Sequence, residues 1–277
     1  MNTQISGHCG LENQGSCCLN AVLQTLFMTK EFREHVESVS SDDDFIKELK
    51  KLFNELETQK NAVSAAGITE SLGITDVHKE QDAAELLHLI LKKTPGSSEI
   101  FKGTIKTTIT WRLCGHKQES LEAFLSLTVS FKDSQDVEDA VEAHIDQMCG
   151  EYPLNCFHCN STGCKKESEM INFPKLLIIQ LSRFEKVSYG YRKNVWKVII
   201  RPQIKVSSQT YELYAIVNHC GTYDGGYYNA DIKCEDKIWY RFNDCSVSES
   251  PLKSVFINES STLRSSFAYL LVYRRRE

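Results

Sequence analysis

The sequence predicts an α+β fold with helices in its first part and strands in its second. Three observations carry this. Apolar residues recur at helical spacing through the first hundred residues. From Phe101 onward, short runs rich in β-branched and aromatic residues take over. No regular alternation of strand and helix joins the two halves, so the layers are segregated rather than doubly wound.

The elements follow in order. After Gly15-Ser16 the run Cys18, Ala21, Val22, Leu26 has helical spacing, with Ser16 as the N-cap. A second helix is written in Phe45, Ile46, Leu49, Leu52, Phe53 and Leu56. Ser41 and three aspartates introduce it, and acidic residues in a first turn suit the helix macrodipole. A third runs through Ala83, Ala84, Leu86, Leu87, Leu89 and Ile90 and stops at Pro95-Gly96. Thr104 to Trp111 and Leu125 to Phe131 read as strands, and Asp136 to Met148 as a short acidic helix. Strands then dominate: Leu176 to Leu181, Tyr211 to Val217, Tyr227 to Lys233, Trp239 to Phe242 and Ala268 to Tyr273. There is no internal repeat.

With 277 residues the chain can bury a substantial core. A net charge of −5 lacks the basic footprint of a nucleic-acid binder. The basic run Arg274-Arg275-Arg276 reads as a solvated tail. No stretch approaches the roughly 20 apolar residues of a membrane span. Met1 to Gly10 lacks the pattern of a secretory signal. The expectation is a monomer of the cytoplasm, the nucleus or both, with no membrane or nucleic-acid partner. Its eleven cysteines are then thiols, metal ligands or a nucleophile rather than disulfides.

The most informative string is Gly10-Leu11-Glu12-Asn13-Gln14-Gly15-Ser16-Cys17-Cys18-Leu19-Asn20, followed by Leu23-Gln24. It sets a cysteine at a helix start just after a glycine turn, where backbone N–H groups and the helix dipole favour a thiolate. Asn13 can offer a side-chain N–H to an oxyanion forming beside that sulfur. A cysteine near a helix start is by itself most often a small buried hydrophobe; the whole string says more.

It resembles the cysteine box of the ubiquitin-specific proteases, G-L-x-N-x-G-x-x-C-x-x-N-x-x-L-Q. The resemblance puts Cys18 on the nucleophile and Asn13 on the oxyanion-stabilising asparagine, with Cys17 taken as structural. Four more strings are similar to boxes of that family, in the same order: Glu80 to Glu85, Pro174 to Phe184, Trp239 to Asp244, and Ala268 to Tyr273. What the resemblance implies is one papain-like catalytic domain over 1–277. A helical thumb would cover about 1–100, fingers about 101–173 and a palm sheet about 174–277. The substrate would be the C-terminal tail of ubiquitin or a ubiquitin-like protein, threaded between thumb and palm with the globular part on the fingers. The compact fingers suggest a short member of the class, and the branch acting on an interferon-induced ubiquitin-like modifier is one candidate.

The histidine box departs from the pattern. Where the family reads H-x-G-x-x-x-x-G-H-Y, this chain has His219-Cys220-Gly221-Thr222-Tyr223-Asp224-Gly225-Gly226-Tyr227-Tyr228. Tyr227 stands at the general-base position. A phenol with pKa near 10 does not replace imidazole as a base at neutral pH. Asn243 falls on the residue that orients the imidazole, with Asp244 beside it as an oxyanion or orienting group. His219 is the candidate substitute base, since a hairpin could bring it near Tyr227. Two functions are therefore in play. One is a cysteine isopeptidase that cuts after the modifier's last glycine. The other is a catalytically impaired pseudoenzyme that binds the modifier.

The resemblance also raises a structural zinc, though catalysis needs no cofactor. Cys156-Phe157-His158-Cys159 is a C-x-x-C, and Cys114 survives from an earlier knuckle whose first cysteine is replaced by Trp111. Cys114, Cys156 and Cys159 could be completed by His116, His158 or Cys164. A vestigial, metal-free finger is the alternative.

Overall fold

The computed structural model describes residues 7–76 and 81–276. Met1 to Ser6 and Glu80, the first residue of the Glu80–Glu85 string, lie outside them. Six helices open the chain: α1 (Cys17–Phe27), α2 (Lys30–Ser38), α3 (Asp44–Thr58), α4 (Ala66–Ser71), α5 (Ala83–Lys93) and α6 (Ser98–Phe101). The predicted helices at Phe45 and Ala83 start where aspartates cap them. Asp43 accepts from the N–H groups of Phe45 and Ile46, and Asp82 from those of Ala84 and Glu85. At α1 the expectation holds for position only, because Ser16 makes no side-chain cap bond.

The fingers are a four-stranded antiparallel sheet in the order β2 (Lys117–Phe124), β1 (Gly103–Trp111), β6 (Thr162–Asn172), β5 (Gly150–Asn155). Not all of 101–173 belongs to it. The segment β3 (Leu127–Val129), β4 (Gln135–Asp136) and α7 (Val137–Asp146) leaves the fingers and packs into the palm. Leu127, Val129, Val137, Ala140 and Val141 share one core cluster with Leu177, Ile179 and Leu271. Their apolar faces find a deeper core there than the thin fingers sheet can offer.

The palm sheet follows from β7 (Leu176–Leu181). A surface hairpin, β8 (Phe184–Val187) and β9 (Gly190–Lys193), comes next, and then β10 (Val198–Ile200) and β11 (Gln203–Val206). β12 (Gln209–Thr222), β13 (Gly225–Lys233), β14 (Trp239–Asn243) and β15 (Ser246–Glu249) form consecutive antiparallel neighbours. After the short α8 (Leu252–Val255) and β16 (Leu263–Ser265), β17 (Ala268–Arg275) enters between β12 and β7. The strand order is β15-β14-β13-β12-β17-β7-β3, with β11 added on β12.

One core cluster joins the thumb helices to the near face of this sheet, from Leu19, Leu23 and Phe53 to Tyr214, Val217, Ala230 and Phe242. The basic C-terminal run is not a solvated tail. Arg274 and Arg275 continue β17, and Arg274 pairs with Glu31 at 2.9 Å while lying over the Tyr214 ring. This ties the last strand to α2.

Candidate active site

A cleft of about 340 Å³ opens between thumb and palm; of the catalytic candidates singled out in the sequence, Cys18 and His219 line it, while Asn13, Tyr227, Asn243 and Asp244 do not. On the thumb side it is lined by Ser16, Cys17 and Cys18 at the start of α1 and by Gln81, Asp82 and Glu85 at the start of α5. On the palm side stand Phe184, Tyr191, His219, Tyr223, Gly226 and Tyr228. The hairpin of β12 and β13 brings the last four into place, and the β8–β9 hairpin supplies Tyr191, whose ring stacks on Tyr223 at 4.9 Å.

The two cysteines differ. Cys18 is 5% exposed and belongs to the thumb–palm core. Burial, above all, pushes its thiol well above the ordinary range, and the nearby Asp82, Cys17 and Glu85 push the same way. Cys17, the first residue of α1, is half-buried, and its Sγ accepts the backbone N–H of Tyr228 at 3.4 Å. Burial, with help from Asp244, raises its thiol too, while backbone N–H groups, that of Tyr228 first, act against the rise. The sequence contained a signal for Cys17. Counted forward from Gly15 the cysteine-box pattern reaches Cys18, but counted back from Asn20, Leu23 and Gln24 it reaches Cys17. The chain is one residue short of the pattern at this turn.

Asn13 is exposed in the same loop, and its Oδ1 accepts the Gly15 N–H at 3.1 Å. Asn243 is exposed at the end of β14. Asp244 is tied to the thumb: its Oδ1 accepts from Asn20 Nδ2 at 2.8 Å and its carbonyl from the Leu11 N–H at 3.0 Å. Gly10 makes this approach feasible, since a Cβ there would stand 2.7 Å from the Asp244 carbonyl oxygen. Asp244 therefore holds α1 against β14.

The hairpin does not place His219 beside Tyr227. His219 lies opposite Tyr228, and Cys220 opposite Tyr227. Directly opposed residues share a face, so neighbouring pairs point to opposite faces of the sheet. His219 and Tyr228 look into the cleft. Tyr227 is 51% exposed, with its phenol against Cys220, a contact that pushes its pKa up. His219 is 3% exposed, its ring packed edge-on to Phe184 at 5.1 Å and tilted to Tyr228 at 4.7 Å. Its Nε2 fills the space over Gly226, where a Cβ would come within 2.1 Å. Burial, then the charges of Lys193 and Arg183, lower its pKa to about 4. An imidazole so reluctant to take a proton cannot hold a thiolate–imidazolium pair at neutral pH. His219 is a neutral wall of the cleft.

Among the described residues four buried side-chain polar atoms lack a hydrogen-bond partner, and three of them belong to residues of this cleft: Ser16 Oγ, Gln81 Oε1 and His219 Nδ1. Each of these atoms is shut off from the surface, and leaving one unpaired costs about 1–3 kcal/mol, so they strain the wall of the cleft. Below them, Tyr269 donates to Asp82 Oδ2 at 2.6 Å and accepts from Gln180 Nε2 at 2.8 Å, bracing α5 on the palm.

In the fingers, the ligand atoms of Cys114, Cys156 and Cys159 lie within 4.8 Å of one another, with the Cys114 and Cys156 sulfurs 3.5 Å apart. Cys159 is lowered to about 7, chiefly by the Ser161 hydroxyl. Cys164 is not in this group; it is buried beside Trp111 and turns its thiol to the Tyr152 carbonyl. The rings of His116 and His158 stack at 5.5 Å next to the three thiols' loops. The three converging thiols could hold a metal ion; neither imidazole belongs to the group they form.

The family model of the ubiquitin carboxyl-terminal hydrolases matches residues 9–273. The chain belongs to the ubiquitin carboxyl-terminal hydrolase family. It is 26% identical to ubiquitin carboxyl-terminal hydrolase 15 of Schizosaccharomyces pombe, over 98% of this chain and 28% of that protein. It is 24% identical to ubiquitin carboxyl-terminal hydrolase 47 of Mus musculus, over 100% of this chain and 28% of that protein. With ubiquitin carboxyl-terminal hydrolase 8 of Saccharomyces cerevisiae the identity is 24%, over 98% and 71%. The chain thus spans less than a third of the length of the first of these relatives. Membership in this hydrolase family gives the cleft its class: a papain-like α+β domain with its thiols at the start of a thumb helix.

Proposed function

We propose that this domain captures the C-terminal tail of ubiquitin or a ubiquitin-like protein in the thumb–palm cleft and cleaves after its last residue by thiol chemistry, slowly. The observation that carries the reading is the cleft itself. A thiol pair at a helix N-terminus faces a glycine-rich hairpin, among buried polar atoms that have no internal partner. An extended tail with small residues fits between the aromatic wall of Phe184, Tyr191 and Tyr223 and the polar floor of Ser16 and Gln81. The acidic Asp82 and Glu85 favour basic residues further along the tail. The thiol attacks the carbonyl, the Asn13 amide on the loop before α1 would turn in to steady the oxyanion, and water releases the thioester.

Slow turnover follows from what faces the thiols. Tyr227 lies on the other face of the hairpin, His219 stays neutral, and Asn243 has no imidazole to orient. These placements favour a second reading in which binding outlasts chemistry and the domain shields or presents the modifier. Reaction with a C-terminally activated ubiquitin probe, compared with the same probe on ubiquitin-like proteins, tests the proposal. A stable adduct with at least one of them is expected. No adduct and no binding with any would leave a fold without this task.

We further propose that Cys114, Cys156 and Cys159 hold a structural zinc that braces the fingers on which the modifier's globular part would rest. The purified chain should carry about one metal ion, and chelation should lower its Tm. Metal analysis finding none makes the finger a metal-free hairpin.

A further inference from the structure

We infer that Cys17, not Cys18, is the thiol that reacts in this cleft. The inference rests on the thiol-hydrolase reading above and narrows it to one sulfur. Both cysteines reach the cleft, but their surroundings separate them. Cys17 is the first residue of α1, an eleven-residue helix whose opening N–H groups have no partner inside the helix. Its half-buried sulfur also receives the N–H of Tyr228 from the facing strand β13 at 3.4 Å. A negative charge on that sulfur is met by backbone donors from both thumb and palm. Cys18 is packed into the core, where Asp82 and Glu85 oppose a thiolate; Asp244 opposes one at Cys17, but only Cys17 has the facing N–H to offset it.

A further feature puts the reacting carbonyl at Cys17. Asn20, one turn further along α1, reaches Asp244 at 2.8 Å and the Glu12 carbonyl at 3.0 Å. It thereby fixes the helix start against both the Asn13 loop and the end of β14, and Cys17 is the thiol at that junction.

The chemistry balances without a protein base. The Cys17 thiol gives its proton to solvent, and the sulfur adds to the tail's terminal carbonyl carbon as the C=O electron pair moves to oxygen. Collapse of the oxyanion breaks the C–N bond, and the leaving amine takes a proton from water. A second water then hydrolyses the thioester and returns the thiol.

Ubiquitin carrying a C-terminal vinyl sulfone tests the assignment on the intact chain. The sulfur adds to the vinyl carbon, and the thiol proton ends on the carbon next to the sulfone, so the adduct is stable and can be located by peptide mass mapping. The wild-type adduct should lie on Cys17. Cys17→Ser should lower labelling at least tenfold, and Cys18→Ser should keep most of it. Because Cys18 is buried and its variant can fail to fold, the wild-type map decides. An adduct on Cys18 overturns the assignment and leaves the hydrolase reading standing. No adduct on either cysteine, with iodoacetamide still alkylating Cys17 faster than Cys18, overturns the hydrolase reading and keeps the ranking of the thiols. Faster alkylation at Cys18 overturns the ranking as well.

Discussion

The β12–β13 hairpin and the fingers knuckle each keep a scaffold in which one residue of the expected pattern is replaced, Tyr227 in the first and Trp111 in the second. The fold has absorbed the two differently. Trp111 is 3% exposed and forms a small core with Cys156 and Cys164; its indole donates to the Leu154 carbonyl at 3.2 Å, and its ring lies 5.6 Å from His116. Tyr227 is half exposed, and nothing around it has closed over its ring. A residue that has become core is held by its neighbours' packing. One that sits on the surface is held only by its own backbone. The fingers substitution is therefore structural and costly to reverse, and the hairpin substitution is chemical and cheap to reverse.

Tyr227→His is the sharpest way to test this. Position 227 points away from the cleft but shares the face of Asn243. An imidazole there, oriented by Asn243 and reaching past the hairpin edge to the thiols, should raise turnover of a ubiquitin C-terminal fluorogenic substrate by at least about 10²-fold. As a surface change the substitution should move stability by no more than about 0.5 kcal/mol. Equal rates for the two proteins would show that position 227 is not where the base is missing. Trp111→Ala should do the opposite. It should destabilise the fingers by about 3 kcal/mol, as for a large buried side chain, while leaving wild-type-level chemistry at the cleft. Hydrogen exchange along β1 and β6 would show it; unchanged protection would mean that Trp111 fills space without supporting the sheet.

How much of this was legible in the sequence depends on the kind of signal. Asp43 and Asp82 announced their helices because a cap is a local device, readable within four residues. β12, β13, β14 and β17 showed as β-branched or aromatic runs because each is buried in one sheet. The passage of β3, β4 and α7 from fingers to palm was not legible, since only tertiary packing decides which core Val129 or Val141 joins. Strand parity hid the divorce of His219 from Tyr227. A one-residue offset turns a side chain through the sheet, and sequence spacing does not say which partner lies opposite. At the cysteines the pattern did hold the answer, but its two halves disagree by one residue. Only the burial of Cys18 and the Tyr228 N–H at Cys17 show which half to follow.

A smaller effect separates the cleft from the fingers by pH. The His219 pKa falls from 6.5 to about 4 on folding because its charge would be buried beside Lys193 and Arg183. Between those values the unfolded chain binds the extra proton, so this group makes stability rise with pH from about 4 to about 6.5. His219→Gln should flatten that rise by up to about 2 kcal/mol, discounted for relaxation around the ring. Denaturant melts of the two proteins at pH 4.5 and pH 7 measure it. A variant with the same pH slope as the wild type would mean that the ring is solvated and free to titrate.

The smallest effect tests whether the cleft, rather than the fingers, grips the modifier. Losing a base removes a transition-state interaction, and ground-state contacts persist without it. Those contacts should come from the residues that line the cleft, Ser16, Gln81 and His219 among them. The aromatic wall adds apolar contact, with the Tyr191–Tyr223 stack already formed before binding. The free domain is thus partly preorganised, and little ordering is left to oppose association. Ubiquitin lacking its last few tail residues should therefore bind at least about tenfold more weakly than the intact protein, about 1.4 kcal/mol by calorimetry. Truncation should also abolish any difference between wild type and Gln81→Ala, because no tail is then left in the cleft for Gln81 to meet. If intact and truncated ubiquitin bind equally well, the energy lies on the fingers. The cleft would then be a vestige of the fold.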